Sequence, residues 1–213
     1  MTFEPQRVTV VLFEGFELLD VFGPVQLLQT VPDLTVVFAG PEDEPIASSQ
    51  GVEVVPTISY EQIEPTDILL VPGGKGTRQL VEDEYFLSWL REVGSQAPMV
   101  AAVCTGSAVL AAAGLLEGYA ATSNKRAFAW ASSFGKKVAW QPEARWVHDR
   151  NRWTSSGVAA GMDMTVALIA HLRTEEVALA AANFAEYEAH RDSEWDPFAR
   201  LYGLASSSGD DAE

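Results

Sequence analysis

Cys104 is the one cysteine among 213 residues. It ends the apolar run Val100-Ala-Ala-Val-Cys104 and precedes Thr105, Gly106 and Ser107. A buried strand that turns into a small-residue helix within two residues is the nucleophile-elbow pattern, here with cysteine in place of serine. Such a turn holds its central residue in a strained backbone conformation, which only small neighbours tolerate. The side chain then stands over the carboxyl end of the sheet, where α/β proteins bind ligands. The helix start just beyond it predicts a lowered thiol pKa. A buried structural cysteine is the plain alternative. The elbow context and the glycine after it favour a functional one.

Two further segments could serve the same chemistry. Val71-Pro-Gly-Gly-Lys-Gly76 closes a buried strand with a turn whose N–H groups can face developing negative charge. An ordinary glycine turn is the competing reading. The segment lacks the Lys-Ser/Thr ending of a phosphate-binding loop, which disfavours nucleotides. Leu18-Leu-Asp-Val-Phe-Gly-Pro24 places Asp20 among apolar neighbours just past the first strand. A carboxyl there tends toward a raised pKa and proton donation. From the residues alone, a helix N-cap is the stronger reading of Asp20. Glu14 and Glu17 lie nearby as substitutes or as solvated side chains.

The three histidines, His148, His171 and His190, do not form a metal-ligand spacing. No metal and no cofactor is expected. Trp130, Trp140, Trp146 and Trp153, with Phe128 and Phe134, cluster late in the chain as core, dimer-contact or pocket residues. The balance of 30 acidic against 14 basic residues, a formal charge of −16, argues against a nucleic-acid partner. One cysteine forbids an intramolecular disulfide and suits a reducing cytoplasm. No apolar run approaches a membrane span, and polar Met1 to Arg7 does not read as a signal peptide.

These residues need a scaffold, and the hydrophobic pattern supplies one. Strands are expected over Arg7–Phe13, Leu34–Ala39, Asp67–Val71, Met99–Val103, Val138–Trp140, Arg145–His148 and Trp153–Ser155. Gly51–Pro56 and Thr57–Tyr60 read as a short hairpin or an irregular crossover. Helices are expected over Leu18–Thr30, over Thr77–Gln96 with a break near Glu82–Glu84, and over Gly106–Ala113. Further helices follow over Asn124–Phe134 and Gly161–Arg173, and a last one, capped by Thr174, runs to about Glu188. Alternating strands and helices imply an α/β fold: a mostly parallel central sheet with helices on both faces. Residues 1–205 read as one domain and 206–213 as a disordered acidic tail.

Together the motifs resemble the ThiJ/PfpI superfamily. They occur in order as Leu12 to Pro24, Val71 to Gly74 and Ala102 to Leu116, with Ser155 to Asp163 similar to a late helix-start motif of one subgroup. The resemblance runs from about Val8 to Leu172. Within the superfamily the chain is most similar to the isocyanide (isonitrile) hydratases and their relatives, which share Asp at position 20 and Thr after the cysteine. That resemblance implies a flavodoxin-like sandwich, a homodimer and a small organic substrate. It implies Cys104 as nucleophile, Asp20 as its hydrogen-bonded acid, and the Gly74 and Thr105 N–H groups around the reacting group. The Thr105 hydroxyl is a further candidate.

Many members carry a histidine where Asn124 stands, and peptidase-like members carry one where Thr105 stands. Both departures count against Cys–His protease or amidase chemistry. No helix-turn-helix pair is read after Leu172, which argues against the superfamily's regulators. Hydration of an isocyanide to an N-formamide through a Cys104 thioimidate is therefore the first expectation. The alternatives are a glyoxalase or deglycase acting on 2-oxoaldehydes, and a non-catalytic cysteine redox or stress sensor.

Overall fold

The computed structural model describes residues 3–205; the expected acidic tail, 206–213, lies outside the described residues. In chain order the elements are β1 (Gln6–Val11), α1 (Leu18–Leu28), β2 (Leu34–Gly40), β3 (Ile46–Ala47), β4 (Glu53–Val54) and β5 (Ile58–Ser59). Next come β6 (Ile68–Val71), α2 (Thr77–Leu80), α3 (Glu84–Gln96), β7 (Met99–Ala102), α4 (Gly106–Ala112), β8 (Ala120–Ala121) and α5 (Phe128–Ala131). The chain finishes with β9 (Ala139–Trp140), β10 (Trp146–Asp149), β11 (Arg152–Ser155), α6 (Ala160–Leu172), α7 (Glu175–Phe184) and α8 (Pro197–Leu201).

Seven strands form one sheet in the order β10-β11-β7-β6-β1-β2-β5. All neighbours are parallel except β10 and β11. Every residue of β6 and β11 is buried, as a sheet covered on both faces requires. The helices pack around it in two groups, α1 with α6 and α7, and α4 with α2 and α3. This is the flavodoxin-like layering. From β1 the chain first builds outward through β2 to β5, then returns to build β6, β7 and β11 on the other side. The reversal between β1 and β6 is a topological switch point, where the strand ends diverge and leave a crevice. The segments after β1, β6 and β7 carry Asp20, Gly73-Gly74 and Cys104.

Local chemistry explains most boundaries. The expected break near Glu82–Glu84 falls between α2 and α3, where the Asp83 carboxylate accepts the Phe86 N–H (3.0 Å) and starts the second helix. Thr174 caps α7 through the Val177 N–H. Two helix expectations need correction. Residues 124–134 yield only the one-turn α5, because Asn124 Oδ1 turns back to the Ala127 N–H (3.0 Å) and Lys125 is pinned to Thr122 and Ala144. The helix after Thr174 ends at Phe184, not near Glu188, and is not the last.

Asp196 caps the additional helix α8 through the Phe198 N–H (2.9 Å), with Pro197 in its first turn. The preceding segment is laced to the body of the domain. Arg145 N–H donates to Ser193 O (2.8 Å), and Asp196 N–H to Glu143 O (2.9 Å). Arg145 lies between the buried carboxylates of Asp163 and Asp196, with its Nε 2.7 Å from Asp163 Oδ2. Asp196→Ala removes the cap and leaves Arg145 short of a counterion, while Asp196→Asn keeps an acceptor for the cap. Urea unfolding should show the alanine variant less stable than the asparagine variant by about 0.5–2 kcal/mol, the usual worth of an N-cap.

Candidate active site

Cys104 adopts φ +58°, the left-handed region in which a non-glycine residue is strained. Its N–H donates to Ser156 O (3.2 Å), and Val103 N–H donates to Val71 O (3.0 Å). The elbow is thus clamped from β6 and from the loop after β11. Gly73 must be glycine because a Cβ there would lie 2.7 Å from Thr105 N and 2.8 Å from Cys104 Cβ. A second strained residue, Val158 at φ +49°, closes the site from the loop before α6.

Asp20 is not an N-cap. Helix α1 starts at Leu18 with Glu17 in the cap position, and Asp20 lies inside the first turn with its side chain fully buried. Its Oδ2 accepts the Gly73 N–H (2.9 Å). Oδ1 has no fully formed hydrogen bond, yet the Cys104 thiol and the Val158 amide are close enough to favour its charge. Burial nonetheless dominates and, with some help from Glu17, raises the carboxyl pKa to about 7. The Cys104 thiol is also pushed up, first by burial and then by the Asp20 charge. This reverses the expected lowering. The Thr105 amide, the Asn124 side chain and the Thr105 hydroxyl oppose the rise without overcoming it.

The Pro72-Gly73-Gly74 turn positions side chains through its amides. Besides the bond from Gly73 to Asp20, Gly74 N–H donates to Thr105 Oγ1 (3.2 Å), and Lys75 N–H donates to Ser49 Oγ (3.2 Å). Thr77 Oγ1 lies 3.1 Å from Thr105 Oγ1, which fixes the hydroxyl from a second side. The Gly74 N–H is therefore engaged with the Thr105 hydroxyl, while the Thr105 N–H acts on the sulfur.

Above the sulfur lies a cleft of about 690 Å³. Asn124, which in sequence stands out only as a departure from a histidine, lines this cleft, and its side chain acts on Cys104. With Oδ1 committed to Ala127, the amide nitrogen is the group left to face the sulfur. Gly157 makes room for it, since a Cβ there would lie 2.2 Å from Asn124 Nδ2. No histidine lines the cleft. His148 instead stacks on Trp153 and meets His171 edge-on. The four late tryptophans are not in the cleft wall either. Its aromatic residues are Phe198 and Tyr202, from α8 and the residue after it. Trp130 contributes indirectly, lying under the Arg78 guanidinium at 3.4 Å.

Among the described residues, no group of three or more His, Cys, Asp or Glu side chains is placed to hold a metal ion. No described helix is long and apolar enough to cross a membrane. A buried thiol and a buried carboxyl that perturb each other, ringed by amide and hydroxyl donors, can add a nucleophile and a proton to one small electrophile.

Comparison with known proteins agrees with this fold. The DJ-1/PfpI family model matches residues 6–171. An isonitrile hydratase from Pseudomonas putida is 36% identical over 166 residues, 78% of this chain and 72% of that protein. The HTH-type transcriptional regulator GbdR of Pseudomonas aeruginosa is 29% identical over 199 residues, and the match spans 53% of the regulator. The crystal structure of a ThiJ/PfpI family protein from Pseudomonas syringae superposes with a TM-score of 0.82 at 29% identity, covering 94% of this chain and 84% of the other. With the family's match running from β1 almost to the end of α6, the chain belongs to the DJ-1/PfpI family.

Proposed function

We propose that this protein is a cofactor-free, cysteine-dependent isocyanide hydratase that converts an isocyanide and water to an N-formamide. The observation that carries the reading is the pairing of Asp20 with Cys104 in a buried floor that no histidine reaches. The likeness to an isonitrile hydratase supports it. A glyoxalase or deglycase would benefit from a base beside the thiol, and the cleft offers Asn124 where that base would stand.

The geometry supports the following chemistry. Above about pH 7 the pair holds one proton, which rests mainly on sulfur, and attack draws on the arrangement in which that proton sits on the carboxyl. In the acid–thiolate arrangement, Cys104 Sγ attacks the terminal isocyanide carbon while Asp20 gives its proton to that same carbon. The product is a thioimidate, Cys–S–CH=N–R, and an Asp20 carboxylate. Thr105 and Asn124 stabilise charge on the sulfur during attack. Water then adds to the thioimidate carbon. The nitrogen gains one proton, the other returns to the Asp20–Cys104 pair, and the C–S bond breaks to release R–NH–CHO. Covalent capture divides a difficult addition into two easier ones.

Turnover of p-nitrophenyl isocyanide tests the reading directly. Cys104→Ala should fall to the uncatalysed rate, and Asp20→Asn should lose roughly 10²–10⁴-fold, the range for removing a general acid. Equal turnover by wild type and Cys104→Ala sinks the proposal. The pH profile carries its own sign. Below about pH 7 both groups are protonated, so no thiolate is available. The rate constant kcat/KM should therefore rise through an apparent pKa near 7 and level off above it. Asp20→Asn should abolish that rise.

Stability should move the opposite way. Asp20 binds its proton more tightly when folded, so the protein loses stability as pH climbs from the unfolded value, 3.8, to about 7. The full loss is on the order of 4 kcal/mol. Asp20→Asn, which escapes it, should gain on wild type across this window in urea unfolding and hold the gain above it.

A further inference from the structure

The cleft differs in charge from the rest of the molecule. The chain carries 30 acidic and 14 basic residues, yet the wall above Cys104 contains Lys75, Arg78, Lys125 and Arg126 against one acid, Glu17. The Lys125 ammonium is turned inward to Thr122 Oγ1 (2.8 Å) and the Ala144 carbonyl, so it serves the framework. Lys75, Arg78 and Arg126 are exposed at the mouth. None of the three forms an ion pair among the described residues, whose ion pairs involve Arg7, Arg145 and Arg150. Glu17 is hydrogen-bonded by Gln50 Nε2 and takes up none of these cations.

Arg78 is also held in place. Its guanidinium carbon lies 3.4 Å from the centroid of the Trp130 ring, a cation–π contact that orders the planar group while leaving its N–H edge free. The Lys75 backbone is tied down by Ser49. Three unpaired cations around one opening, on a strongly acidic protein, concentrate field at that opening and draw in anions that the remaining surface repels.

We propose that the cleft selects substrates carrying an anionic group, with Arg78 as the specificity-determining contact and Lys75 and Arg126 as the attracting rim. This rests on the hydratase reading for its reaction but not for its charge preference. The substrate class is then an isocyanide with a carboxylate or similar acid group placed away from the isocyano carbon. The isocyano group enters toward Cys104 while the anion stays at the mouth. A bidentate guanidinium–carboxylate contact suits this arrangement better than a lysine would.

Two measurements test it together. The first compares kcat/KM for 4-isocyanobenzoate and its methyl ester at low and high ionic strength. The second compares binding of the two corresponding formamides by calorimetry, which requires no turnover. The carboxylate should be favoured by roughly tenfold or more in both, the worth of one charge-assisted hydrogen bond. The preference should narrow with salt and fall toward unity in Arg78→Gln. Equal handling of acid and ester by wild type overturns the proposal. So does an Arg78→Gln variant that loses the same factor on both substrates, because Arg78 would then act on the thiol alone. If neither isocyanide is turned over in a Cys104-dependent way but the anionic formamide still binds more tightly, the hydratase reading fails and the anion selection stands.

Discussion

Burying the Asp20 carboxyl beside the Cys104 thiol puts two groups that can each lose a proton into one low-dielectric space. Each group's negative charge penalises the other's, and burial leaves little solvent to spread it. The surrounding structure answers that constraint. Gly73 supplies a backbone N–H to one carboxyl oxygen. The Thr105 amide, the Thr105 hydroxyl and Asn124 supply partial positive charge to the sulfur. With one negative charge to share, the pair gives up its first proton from the carboxyl near pH 7 and holds the second on sulfur. A histidine beside the sulfur would bring a cation and break this balance.

The scaffold delivers these groups by topology. Strands β1, β6 and β7 are neighbours in the sheet in the order β7-β6-β1, although β2 to β5 intervene in sequence. Their carboxyl ends therefore bring Cys104, the Gly-Gly turn and the start of α1 together at the switch point. Gly73 is the keystone of this meeting. Its amide holds Asp20, and its missing side chain lets the Cys104 elbow pack directly against the turn. Strain at Cys104 and Val158 is carried by a framework of buried strands that has little freedom to relax it.

What could be read in the sequence was local. The elbow at Cys104, the strand–turn at Val71 to Gly74 and the break before α3 are each written in a few adjacent residues. What could not be read was set by distant contacts. Asp20 looks like a cap residue because the amide that binds its carboxylate lies 53 positions along the chain. The helix start that predicts a lowered thiol pKa is visible in sequence, whereas the burial that outweighs it is not. Asn124 registered as an absence because an amide has no proton chemistry of its own, and only the fold shows it facing sulfur. Helix α8 is different: Asp196 as its cap and Pro197 in its first turn announce it locally.

The Arg78–Trp130 stack and the amides of the Gly-Gly turn belong to different layers of the site. The floor is specified by backbone and glycine geometry, which tolerates almost no change. The mouth is specified by exposed side chains on α2, the loop before α5 and the α8 segment, none of which is needed to hold Asp20 or Cys104. Substitution at the mouth can therefore change its charge and shape while the Asp20–Cys104 pair stays intact. A fold divided in this way has two nearly independent parts, a floor whose shape is dictated by backbone geometry and a mouth whose charge and shape are set by side chains alone.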